Sequence, residues 1–163
     1  MSDNQMIQRD SAVLATSLVA VPVASLFDET RPDGARLFNF QPDTEEGAEL
    51  LFLSEEEGTR EPLQHTEIPF PMKWWAAKSI TLPGRADGHP MRCVRVVLIS
   101  PDRETLPFTS QGVVSSLDLV RTLKGDGPYD PPINVSVRPQ RTSGGFTLYR
   151  LRVHSGLSPN PSA

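Results

Sequence analysis

Apolar and polar positions alternate most clearly between residues 72 and 154. Trp74–Leu82 (WWAAKSITL) and Met91–Ser100 (MRCVRVVLIS) are runs of β-favouring residues ended by Pro83-Gly84 and Pro101-Asp102, and each predicts a strand. Glu104–Ser110 returns as a third strand, with Leu106 and Phe108 on one side and Pro107 where no ladder hydrogen bond is needed. The period then changes. Val113, Leu117 and Val120 recur at helical spacing within Gly112–Leu123, Ser115 and Asp118 offer a capping pair, and Lys124-Gly125 suits the end of a helix. Ile133–Arg138 alternates strictly, with Ile133, Val135 and Val137 inward and Asn134, Ser136 and Arg138 outward. Pro139–Gly145 turns on the Gly144-Gly145 hinge, and Phe146–His154 closes as a strand with Tyr149, Leu151 and Val153 opposing Arg150, Arg152 and His154.

The first half carries a weaker pattern. Ser11–Phe27 is rich in Ala and Val, with Pro22 splitting it into a short helix and an extended edge. Asp28–Gly34 is a turn, and Leu37–Phe40 a short strand. Within the acidic stretch Asp43–Glu61, the run Glu49–Leu53 is too short for its period to separate a strand from a helical turn. Pro62, Pro69 and Pro71 mark an extended connection. The chain therefore divides into an acidic, partly ordered N-terminal extension (1–71), a basic β domain (72–154) and a compositionally disordered tail (155–163). Three strands, a helix and two strands is the order of the OB-fold, so the fold expected is mainly β: an OB-like Greek-key barrel with one short helix. A small sandwich or an SH3-like barrel fits nearly as well.

Composition narrows the class. With 163 residues the chain can bury a core without metals or disulfides, and its single cysteine, Cys93, excludes an internal disulfide framework and a zinc site. The 16 prolines favour short strands over a helical bundle. The longest apolar run, Ala12–Phe27, is interrupted by Thr16, Ser17, Pro22 and Ser25 and falls short of the roughly 20 residues of a membrane span. The opening MSDNQMIQRD lacks the positive start of a signal peptide. A cytoplasmic protein without membrane association is the expectation.

Charge is strongly segregated. Residues 1–71 hold 4 Lys/Arg against 14 Asp/Glu, whereas residues 72–163 hold 12 against 6. An acidic half beside a basic half points towards polyanion binding. The acidic stretch could then mimic phosphate and compete for the basic face, in which case deleting residues 1–71 raises DNA affinity.

The inventory for catalysis is poor. His65, His89 and His154 lie far apart, Cys93 sits inside a strand pattern, and Glu55–Glu57 lack the spacing of a calcium loop. No GxxxxGK[ST], HExxH or GxSxG is present, so the reading is a non-enzyme without cofactor or metal. Binding a single strand needs cations for phosphates and aromatic faces for bases. Lys73, Lys78, Arg92 and Arg95 from the first two strands, and Arg138, Arg141, Arg150 and Arg152 from the last hairpin, supply the cations. Adjacent Trp74 and Trp75 must face opposite ways, leaving one, taken as Trp74, free to stack, and Tyr129 in the GDGPYDPP loop has little core to join.

The run from Lys73 to Val153, with a turn, a Thr/Ser/Gly stretch and a short Leu-containing helix over Asp102–Leu123, resembles small phage- and plasmid-encoded proteins found with replication genes. That resemblance implies an OB-like single-stranded DNA-binding protein that coats exposed strands during replication of a phage or mobile element. It covers the C-terminal half. The neutral ending SGLSPNPSA departs from the acidic tail of the bacterial proteins, which puts tail-mediated recruitment in doubt. The expected partner is single-stranded DNA, or RNA of the same form, with a homo-oligomer as a further expectation. The competing class is a structural or adaptor protein, such as a virion accessory or assembly module, that binds protein partners through the β domain.

Overall fold

The computed structural model describes residues 25–83 and 88–154; expectations for residues 1–24, 84–87 and 155–163 lie outside the described residues. In chain order the elements are β1 (Arg36–Phe38), α1 (Glu45–Glu55), a 3-10 turn (Pro62–His65), β2 (Phe70–Met72), β3 (Trp74–Leu82), β4 (Met91–Ile99), β5 (Thr105–Phe108), α2 (Gln111–Lys124), β6 (Ile133–Arg141) and β7 (Thr147–Val153). They form two antiparallel sheets, β1-β3-β4-β5 and β2-β6-β7. The fold is mainly β, and the order β3-β4-β5-α2-β6-β7 is the one expected. Among the described residues, however, the sheets remain separate and no closed barrel forms, because the β6–β7 hairpin pairs with β2 and not with the first sheet.

Strand alternation explains the layering. Trp75 and Ala77 of β3 face one core with Val94, Val96 and Leu98 of β4, Leu106 and Phe108 of β5, Val113, Val114, Leu117 and Val120 of α2, and Val135 and Val137 of β6. Trp74 and Ala76 face the other way, joining Val97, Ile99, Phe40 and the α1 residue Leu50. The four-stranded sheet is thus a middle layer between α1 on one side and α2 with the second sheet on the other. Coverage of both faces is why β4 reads as an almost unbroken apolar run.

The short acidic segment becomes a helix because its ends are satisfied. The Thr44 hydroxyl accepts from Gly47 N at 2.9 Å, and Glu45 and Glu46 stand where the helix dipole favours negative charge. At the other end Arg95 donates through Nη1 to Ser54 O and through Nη2 to Glu56 O (3.1 Å), meeting carbonyls the helix leaves open. Gly47 is required at the start, since a Cβ there would lie 1.6 Å from Gln41 O.

The N-terminal half is therefore built into the sheets. β1 pairs with β3 through Arg36, Leu37 and Phe38, and β2 pairs with β6, so the division expected at 71/72 falls inside β2. The helix α2 lies along the free edge of β7. Ser110 Oγ accepts from Tyr149 N and donates to Tyr149 O, both at 3.0 Å, and Ser116 Oγ accepts from Leu151 N at 3.1 Å. These hydroxyls occupy an edge that could otherwise template another strand. The Ser115–Asp118 capping pair does not form. Asp118 instead accepts from Ser25 Oγ and Leu26 N at the point where the described chain begins.

Candidate nucleic-acid interface

The hairpin β6–β7 projects past the core. From Arg138 to Arg141 every residue of β6 is exposed, whereas Val135, Ser136 and Val137 just before them are buried. Arg138 lies directly opposite Arg150, and Arg152 opposite Ser136, so Arg138, Arg150 and Arg152 share one face of the ribbon. Arg141, opposite Thr147, falls on the other face near the tip. The tip is closed by Gly145 N donating to Thr142 O (3.0 Å), with Gly145 at φ 85°, a conformation suited to glycine. Phe146 beside it is 54% exposed. Among the described residues, none of these four arginines has an acidic partner within salt-bridge distance.

The other candidate cations sit differently, and α1 is the reason. Lys78 pairs with Glu55 at 3.0 Å, and Arg36, not singled out from sequence, pairs with the same carboxylate at 3.1 Å. Partial burial pushes the Glu55 carboxyl up, but hydrogen bonds from Lys78 and Arg36 outweigh it and hold its pKa below the usual value. Arg95 is spent on the end of α1, and Arg92 Nη2 donates to Arg31 O. Arg103, also missed, binds Glu46 at 2.8 Å and Glu49 at 3.3 Å and lies 4.6 Å from the Trp74 ring centroid. Lys73 Nζ lies 4.8 Å from the same ring. The basic side of the first sheet is thus already covered by acidic groups of the same chain.

Two expected stacking surfaces are absent. Trp74 and Trp75 do face opposite ways, but Trp75 (2% exposed) is buried in the main core and α1 covers the face that carries Trp74 (3% exposed). Tyr129 is buried in the main core, where its hydroxyl donates to Gly125 O at 2.6 Å and burial pushes its pKa up to about 12. The loop around it is folded inward by Tyr129 N donating to Lys73 O (3.0 Å) and by Asn39 Nδ2 donating to Asp126 O (2.8 Å). The signal that could have placed α1 is Thr44 three residues before Gly47, followed by Leu50 and Leu53 at helical spacing.

Cys93 is half-buried on β4, and desolvation raises its thiol pKa, so it has the character of a packed strand residue. No group of three or more His, Cys, Asp or Glu suited to a metal occurs among the described residues, and no described helix is long and apolar enough to cross a membrane. A cleft of about 390 Å³ opens between β1, the start of α1 and the Gly127-Pro128 turn, lined by Phe38, Phe40, Trp74, Asn39, Thr44 and Glu46 among others. Its main polar side chains are engaged: Asn39 with Trp75 N and Asp126 O, Thr44 with Gly47 N, and Glu46 with Arg103. No known protein family, curated protein or solved structure matches the chain.

Proposed function

We propose that the protein is a non-enzymatic single-stranded DNA-binding protein that holds the strand along the β6–β7 hairpin. The observation that carries this reading is the contrast in charge pairing. The first sheet's Arg36, Lys78 and Arg103 have carboxylate partners from α1, whereas Arg138, Arg141, Arg150 and Arg152 are exposed without one among the described residues. Arg138 directly opposite Arg150 is a repulsive cross-strand pair, and a phosphate between them turns that repulsion into two attractions. Phe146 at the tip offers a ring to an unstacked base. The order of three strands, a helix and two strands is what supports an OB-like relationship, and the place in phage or plasmid replication rests on the sequence resemblance alone.

Fluorescence anisotropy with a labelled oligothymidine tests the proposal. Each phosphate neutralised on a single strand contributes about −0.7 to the slope of log K against log salt, so engagement of all four arginines gives a slope of about −3. Replacing Arg138 and Arg150 together by Gln is expected to flatten that slope by about 1.4 and to weaken binding at low salt at least tenfold. Binding that keeps its slope in the double variant would place the site elsewhere. Absence of binding at low salt would move the reading to the adaptor class, and equal binding to duplex would mark the hairpin as a groove-reading ribbon.

A further inference from the structure

The helix α2 buries Val113, Val114, Leu117 and Val120 but leaves Leu119 59% and Leu123 73% exposed. These two leucines are four residues apart and so lie on one face of the helix. The other exposed positions before Lys124 are Gln111, Ser115 and Thr122, all uncharged; Asp118, at the edge of this face, is half-buried and paired with Arg121. An outward helix face is ordinarily charged or polar. Two exposed leucines on an uncharged stripe suit a surface that something apolar covers.

The described chain begins on this helix. Ser25 Oγ donates to Asp118 Oδ2 at 2.8 Å, and Leu26 N donates to both Asp118 oxygens at 3.1 Å. Leu26 is buried in the main core and Phe27 packs against it. Residues 25–27 are the end of a longer run: from Ser11 to Phe27 the sequence contains no charged residue, and it includes Val13, Leu14, Leu18, Val19, Val21 and Val23. Asp118 is one residue from Leu119 and five from Leu123, which is about 7.5 Å along the axis and about 140° around it, a path over the helix surface that about four or five extended residues span.

We propose that residues 12–24 dock in cis across the outer face of α2, continuing the contact begun at residues 25–27 and covering Leu119 and Leu123. Composition, the anchor on Asp118 and the short reach select this segment as the occupant. The proposal is independent of DNA binding.

Two measurements on the full chain test it. Elastase cleaves after small apolar residues, which are dense in residues 12–24, and cutting tracks the population of the undocked segment. Leu119→Glu with Leu123→Glu is expected to speed cleavage within residues 12–24 at least about tenfold, while amide protection of β3 and β4 stays that of the wild type. Equal cleavage in wild type and variant overturns the proposal. The second measurement does not depend on the charged variant folding. In a Cys93→Ser background, Val21→Cys with Leu123→Cys is expected to oxidise to a crosslink within one chain. Failure to crosslink, or a crosslink recovered only in dimers, overturns docking in cis, the dimer identifying a second copy as the occupant.

Discussion

At the scale of single residues, the loops of this protein are held by polar side chains whose roles are invisible in composition. Asn39 is the clearest case. Its Oδ1 accepts from Trp75 N at 2.9 Å and its Nδ2 donates to Asp126 O at 2.8 Å, so one buried amide joins β1, β3 and the loop after α2. Asn39→Ala leaves the buried Trp75 N–H without a partner and leaves Asp126 O with Trp75 Nε1 alone (3.0 Å), and a loss of about 1–3 kcal/mol is expected from urea unfolding. Tyr129 makes a different prediction. Burial raises its folded pKa from 10.0 to about 12, so between those values the unfolded chain gives up a proton that the folded chain keeps. With fewer protons bound when unfolded, stability must fall as pH rises across that interval. Tyr129→Phe is expected to remove that slope, measured by unfolding at fixed pH steps; an unchanged slope would mean that the phenol is not held in the core.

At the scale of elements, strand alternation and the period of α2 were legible because each buries one defined set of side chains. Trp74–Leu82 matches β3, and the helix expected over Gly112–Leu123 lies within Gln111–Lys124. The site was less legible, since exposure depends on what covers a strand. Arg138, Arg141, Arg150 and Arg152 are exposed as expected, but Lys78, Arg95 and Trp74 lie under a helix whose low amphipathicity hid it: Phe52 of α1 points to solvent while Leu50 is buried. Docking of elements also rests on positions that pattern does not mark. A Cβ on Gly112 would lie 2.3 Å from Tyr149 O, where α2 approaches the β7 backbone. Gly112→Ala, which would be favourable in an isolated helix, is therefore expected to destabilise by about 1–3 kcal/mol through displacement of α2 from the strand edge. A thermal melt at or above the wild-type midpoint would show that this contact relaxes freely.

At the scale of the whole molecule, the segregation of charge along the chain is converted into contact between its halves. Acidic α1 lies on the basic side of the first sheet, with Glu55 between Arg36 and Lys78 and Arg103 between Glu46 and Glu49. Exposed ion pairs of this kind are each worth only about 0–1 kcal/mol. The apolar contact beneath them decides the outcome. Removing residues 1–71 takes away β1, α1 and two of the three residues of β2, uncovering Trp74, Ala76, Val97 and Ile99, which are all buried in the intact protein. Each large apolar side chain returned to water costs roughly 1.5–3 kcal/mol, and several together consume most of the 5–15 kcal/mol that keeps a domain folded. The fragment beginning at Met72 is therefore expected to lose cooperative unfolding in denaturant and the fixed near-ultraviolet signal of its tryptophans. Such a fragment would bind DNA only as an unfolded polycation, with a salt slope unrelated to the hairpin. If it instead unfolds in a single sharp transition, the acidic half is a removable cover, and a rise in oligothymidine affinity on its removal would establish that α1 competes with phosphate for the first sheet.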